Sequence, residues 1–222
     1  MSKRVIKTAV FGALVAAAVF TMLTGCGSAG AGGGTTTNKA TLGFDEGRSG
    51  WILLNSGGGR TVYSTDDSAS NHTYEISAGD GVFGQVDRGF MSFGFDFAQA
   101  PSEIVSASLH VYVNRYANDP YAALGGQLEV YGVDYGDLDG NDYYTSLGEG
   151  AFVLSTSTDN EDNWISVEVT AAVKNDWSNG ESRTQFIFRF PDNNNGDSNP
   201  DRIFMNADES DTKAPYLTVE YR

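Results

Sequence analysis

Cysteine is almost absent from this chain. Cys26 is the only one in 222 residues, so no intrachain disulfide and no multi-thiolate metal site can form. Histidine is scarce too, and His72 and His110 are the only imidazoles that could serve as bases or ligands. Positive charge is in short supply: 14 Lys+Arg stand against 29 Asp+Glu, for a net charge of −15. That balance argues against nucleic acid, whose binding depends on Lys and Arg neutralising phosphates. It also disfavours unassisted binding of polyanionic sugars, and it suits calcium, which takes oxygen ligands. Proline is sparse at 5 residues, whereas Gly, Phe and Tyr are plentiful at 27, 13 and 11.

The N-terminus holds the cysteine in a telling context. Lys3, Arg4 and Lys7 precede an apolar run from Thr8 to about Leu23, then Leu23-Thr24-Gly25-Cys26. A basic start, a short apolar stretch and small residues before a cut describe a secretory signal. The run is short for a membrane span, which needs roughly 20 apolar residues. Leu-Thr-Gly-Cys resembles the lipobox of bacterial lipoproteins. The resemblance implies cleavage before Cys26, lipidation of its thiol, and a cell-envelope location outside the cytoplasm. Gly27 in place of Asp points by the same likeness to the outer membrane or cell surface. Residues 1–25 are thus expected to be a signal peptide, and 26–39 a lipid-anchored cysteine with a Gly/Thr-rich tether. The tether's rms reach is on the order of 20 Å. Loss of three basic residues with the signal leaves 11 Lys+Arg against 29 Asp+Glu, a net of −18.

Residues 40–222 read as one domain with a proper core. Period-two patterns dominate. Met91, Phe93, Phe95 and Phe97 alternate with Ser92, Gly94 and Asp96; Val105, Ala107, Leu109, Val111 and Val113 alternate with Ser106, Ser108, His110 and Tyr112. Similar alternation runs through 127–131, 165–169, 185–190 and 217–222, with weaker strands near 50–54, 60–64, 72–77, 81–86, 151–155 and 202–206. One short helix fits Thr170–Gly180, with Thr170 as its cap, Val173 and Trp177 on one face, and Gly180 after its end. The expectation is an all-β fold: an antiparallel β-sandwich of jelly-roll type with one short helix.

Arg88-Gly-Phe-Met-Ser-Phe-Gly-Phe-Asp-Phe97, Ile104-Val-Ser-Ala-Ser-Leu-His-Val-Tyr112, Trp164-Ile-Ser-Val-Glu-Val-Thr-Ala-Ala-Val173, Gln185-Phe-Ile-Phe-Arg-Phe190 and Pro215-Tyr-Leu-Thr-Val-Glu-Tyr221 follow one another in order. The set resembles the DNRLRE-type domains of bacterial and archaeal surface proteins across roughly 85–222. The resemblance implies a jelly-roll sandwich and a carbohydrate-binding-module-like role.

Two acidic segments are candidates for structural calcium. Asp137, Asp139 and Asn141 supply oxygens at the first, third and fifth positions of a calcium turn, although Asp142 and Gly148 stand where an EF-hand requires Gly and Glu. Asp192, Asn194 and Asp197 form the second set, and Asp66 with Asp67 a weaker third. For sugars the tools are aromatic rings with polar tips. Tyr116 and Tyr121 with Arg115, and Tyr135, Tyr143 and Tyr144 in the acidic segment, are the candidate platform. Trp164 and Trp177 are expected in the core. Arg88 is expected to form a structural ion pair. No positioned nucleophile is visible, so a non-catalytic module binding polysaccharide is expected, with a structural or adhesive envelope protein as the alternative. A carboxylate-dependent hydrolase or lyase comes third.

Overall fold

The computed structural model describes residues 36–65, 74–148 and 150–222. The signal segment, Cys26 and the tether as far as residue 35 lie outside the described residues, as do Asp66, Asp67 and His72. Among the described residues, twelve strands run in chain order: β1 (Asn38–Gly43), β2 (Gly50–Leu54), β3 (Arg60–Ser64), β4 (Glu75–Asp80), β5 (Val86–Gly94), β6 (Ile104–Ala117), β7 (Leu128–Val133), β8 (Phe152–Ser155), β9 (Asn163–Glu168), β10 (Arg183–Arg189), β11 (Asp201–Asn206) and β12 (Tyr216–Tyr221). Helix α1 (Pro120–Ala123) follows β6, and α2 (Thr170–Ser178) follows β9. The fold is all-β, as the alternation predicts.

Every strand pairing is antiparallel. The order β1-β12-β6-β11-β4-β5-β10-β7-β8 carries three side branches: β9 on β6, β2 on β5, and β3 on β2. The sheet curls over on itself, so that Phe44, just past β1, bridges to Phe93 of β5 and β8 lies against β9. The result is sandwich-like. Between the two halves, Leu109, Val111 and Val113 of β6 meet Met91 and Phe93 of β5 and Phe186 and Phe188 of β10, all fully buried. Each such side chain contributes about 1.5–3 kcal/mol by leaving water. Phe93 and Phe186 pack edge to face at 6.1 Å.

The two halves differ on their outer sides. On β6 the outward residues Ser106, Ser108 and His110 are only partly buried, which is the ordinary half-wet strand. Strands β2, β5 and β10 bury apolar side chains on both faces. Ile52, Phe90 and Ile187 point away from the main core into a second cluster, roofed by Tyr135 and Tyr143. Residues buried on both faces read as continuous apolar runs, and Phe186-Ile187-Phe188 is one.

Several local expectations change. Asn38 and Lys39, read as tether, pair with Tyr221 and Glu220 as the first residues of β1. Strand β5 stops at Gly94; Phe95 and Phe97 leave the ladder and pack edge to face on Trp177 at 5.5 and 5.3 Å. Thr170 does not cap α2. Its hydroxyl accepts the Ala107 amide at 2.8 Å, tying the helix start to β6. Gly180 does follow the helix, at φ +79°. The additional helix α1 rests on a signature that periodicity misses: Asp119 Oδ1 accepts the Tyr121 and Ala122 amides at 3.1 Å, and Pro120 takes the first turn.

Candidate functional site

The 134–148 segment folds down onto the outer side of β5 and β10. Tyr135 is buried against Phe90 at 5.4 Å, and its hydroxyl donates to the Arg48 carbonyl at 2.8 Å. Tyr143 is 2% exposed, with the Arg88 guanidinium 4.3 Å from its ring centre. Arg88 also donates Nη1–H to the Tyr143 carbonyl. Its expected ion pair is absent among the described residues, and a cation–π contact takes its place. Of the three tyrosines here, Tyr144 alone stays open, at 62% exposure.

The other tyrosines of the expected platform also turn inward. Tyr121 is buried against Phe190 at 5.4 Å, and half-buried Tyr116 packs on it at 5.9 Å with the hydroxyls 3.5 Å apart. Burial raises the phenol pKa of both. These two belong to the main core, whereas Tyr135 and Tyr143 belong to the second cluster, so the two sets do not form one platform. Arg115 pairs with Glu75 at 2.7 Å and lies 3.6 Å over the Phe204 ring.

Several oxygens of the acidic turns accept bonds from nearby donors. Asp137 pairs with Arg48. Asp139 accepts the Asn141 amide at 2.6 Å, and Asp142 accepts the Asp139 amide. In the second segment Asn194 and Asp197 accept the Gly196 and Asn199 amides at 2.6 and 2.8 Å, and the Asp192 amide donates to the Leu124 carbonyl at 3.2 Å. These are turns closed on themselves. Among the described residues no three His, Cys, Asp or Glu side chains converge to hold a metal. The second segment is instead anchored underneath by buried Asp80, whose oxygens accept the Asn195 and Asp201 amides at 3.3 and 3.0 Å. Beside it, Asp87 pairs with Arg202 at 3.1 Å and accepts the Ser77 hydroxyl at 2.8 Å. Burial pushes the Asp87 carboxyl up to about 6 against the pull of Arg202.

An aromatic row on the other outer face was not expected from sequence. Register sets Tyr112 opposite Trp164, and His110 between Tyr216 and Ser166. Residues two apart on a strand share a face, so β6 presents Tyr112 and His110 together while β9 and β12 bring Trp164 and Tyr216 alongside. His110 stacks on Tyr216 at 4.4 Å, Trp164 meets Tyr216 at 5.2 Å and Tyr112 at 5.5 Å, and Lys213 Nζ sits 4.1 Å over Tyr112. Trp164 is not a core residue: it stands 36% exposed. Ser108, Ser166, Thr218 and Glu168 continue the same face. Burial, aided by Lys39, lowers the His110 pKa. Sequence alternation marks His110 and Tyr112 as the polar side of their strand, whereas Trp164 was expected in the core. The missing signal was cross-strand register, which decides that four rings adjoin.

A cleft of about 470 Å3 opens where β7 ends against α2. Asp134, Asp176, Glu181, Asn175 and Asn179 line it with Thr145 of the acidic segment. Asp176 accepts the Thr184 hydroxyl at 2.6 Å, and burial pushes its carboxyl up to about 6, with Glu181 and Asp134 adding to the rise. The chain matches no protein-family model and no curated protein.

Proposed function

We propose that this chain is a lipid-anchored, extracytoplasmic, non-catalytic module that binds carbohydrate on the outer face of β9, β6 and β12. The observation that carries the reading is the contiguous row of Trp164, Tyr216 and His110 on an open sheet face. A pyranose presents C–H groups on one side and hydroxyls at its rim. Ring faces accept the first, and Ser108, Ser166, Thr218 and Glu168 supply donors and acceptors for the second. Carried on strands, the rings lose little freedom on binding. The likeness of 85–222 to DNRLRE-type domains supports the same reading, and lipidation at Cys26 would place the module at the membrane surface.

The test has two parts. Retention of the mature chain on a panel of insoluble and soluble polysaccharides, with Trp164→Ala and Tyr216→Ala compared, addresses the ligand. Lipid labelling of Cys26→Ser in a bacterial host addresses the anchor. Retention that both ring substitutions leave intact would move the reading to an adhesive envelope protein.

A further inference from the structure

The face that carries Trp164, Tyr216 and His110 does not end at β12. Strand β12 stands between β6 and β1. Antiparallel register extends each row of the face by one strand: His110 and Tyr216 lead to Gly43, Ser108 and Thr218 to Thr41, and Ser106 and Glu220 to Lys39. Residues two apart on β1 share a side, so Gly43, Thr41 and Lys39 line the seam beside β12. All three are exposed.

Tyr216 has one ring face occupied. His110, on the β6 side, stacks there with centroids 4.4 Å apart and planes 12° apart. Trp164 meets the Tyr216 ring at a steep angle, 64° and 5.2 Å. The second face turns away from β6 toward β1, where the residue alongside is Gly43. A Cβ at Gly43 would meet no heavy atom within 4 Å, so the space over it is open. Gly43 is not among the glycines with positive φ, so its backbone does not require a glycine. What the missing side chain leaves is room against the Tyr216 ring. One row along, the hydroxyls of Thr41 and Thr218 flank the same seam, with Thr218 Oγ1 3.2 Å from His110 Nε2.

We propose that the seam between β1 and β12 takes an uncharged linear glycan, with one pyranose stacked on the open face of Tyr216 over Gly43 and the chain continuing past Thr41 and Thr218 toward Lys39 and Glu220. This rests on the glycan reading of the face and adds the class of glycan and the line it follows. Pyranose C–H groups suit the free π face, and threonine hydroxyls both donate to and accept from sugar hydroxyls. From Gly43 to Lys39 the strand rises about 14 Å, a length that suits a disaccharide or longer rather than a lone sugar. The far row sets one base opposite one acid, Lys39 and Glu220, so it offers no net charge to a uronate chain. The net charge of −15 repels polyanions as a whole. Gly43 is the residue that sets access, because any sizeable side chain there fills the slot beside Tyr216.

Affinity electrophoresis of the mature chain tests it, in gels holding soluble starch, hydroxyethylcellulose, galactomannan, polygalacturonate or alginate. The expected result is retardation by at least one of the three neutral polymers and by neither anionic one. Gly43→Leu should lower that affinity at least tenfold while keeping the parent's melting transition, because the added side chain enters open space. Thr41→Leu, one row along, carries the same expectation and takes its place if the first variant melts early. Parental affinity in the folded Leu variant, with Trp164→Ala impaired, overturns the seam and leaves the glycan reading of the face standing. Retardation by polygalacturonate or alginate overturns the uncharged class. No retardation in any gel overturns the seam and the glycan reading together.

Discussion

The two outer faces of the sandwich use aromatic residues in opposite ways. Over β2, β5 and β10, tyrosines come from a loop and are spent as a roof: Tyr135 and Tyr143 cover Phe90 and Ile187. Over β9, β6 and β12 no strand or helix of the described residues is laid, and Trp164 stands 36% exposed beside Tyr216 and His110. Loop origin is commonly taken as a mark of binding residues. Here that expectation inverts, because the apolar outward side of β5 and β10 demands cover and the loop supplies it. What lies beneath a ring decides its role more than the type of segment that carries it.

The largest expected effect sharpens this contrast. Tyr143→Ala removes a buried ring and its cation–π contact, and should cost about 3 kcal/mol in denaturant unfolding. Trp164→Ala on the open face should cost no more than about 1 kcal/mol. It should nevertheless lower polysaccharide affinity at least tenfold, where Tyr143→Ala changes affinity only through lost fold. Equal stability losses would erase the distinction between roof and platform.

Acidity gives the next effect. The Asp87 carboxyl is raised to about 6 in the folded state, above the unfolded value near 3.8. An acid whose pKa rises on folding contributes stability at pH below its unfolded value, and that contribution fades as pH climbs through the folded value. At about 1.4 kcal/mol per unit, Asp87 alone should remove on the order of 3 kcal/mol between pH 4 and pH 7. Asp176 acts in the same direction. Melting curves across this range should show Asp87→Asn with a flatter profile than the parent; an unchanged slope would contradict the assignment. Smaller still, Asp119→Ala strips the cap from α1 and should cost about 1 kcal/mol, read by unfolding in urea.

The strands of this fold were legible because burial on one side writes period-two alternation into the chain. Strands 50–54 and 60–64 match their observed spans, and the 202–206 strand starts one residue earlier, at Asp201. Capping at Asp119 and the diversion of the Thr170 hydroxyl to Ala107 were harder, since each depends on which neighbour the backbone brings near. Site residues were read least well. Tyr121, Tyr135 and Tyr143 looked exposed because their segments are rich in Gly, Asp and Asn, and the structure buries them. Trp164 was expected inside because tryptophan is mostly apolar, yet its parity with Ser166 and Glu168 put it on the wet side of β9. Parity was in the sequence; adjacency to Tyr216, set by antiparallel register across three strands, was not.

Polysaccharide affinity of the mature chain and its Trp164→Ala variant on one panel, each verified as folded by its melting transition, decides whether the open face of β9, β6 and β12 binds sugar. At least one polysaccharide should be bound by the parent and released at least tenfold more readily by the variant. Equal binding by both folded proteins, or no binding by either, would contradict it.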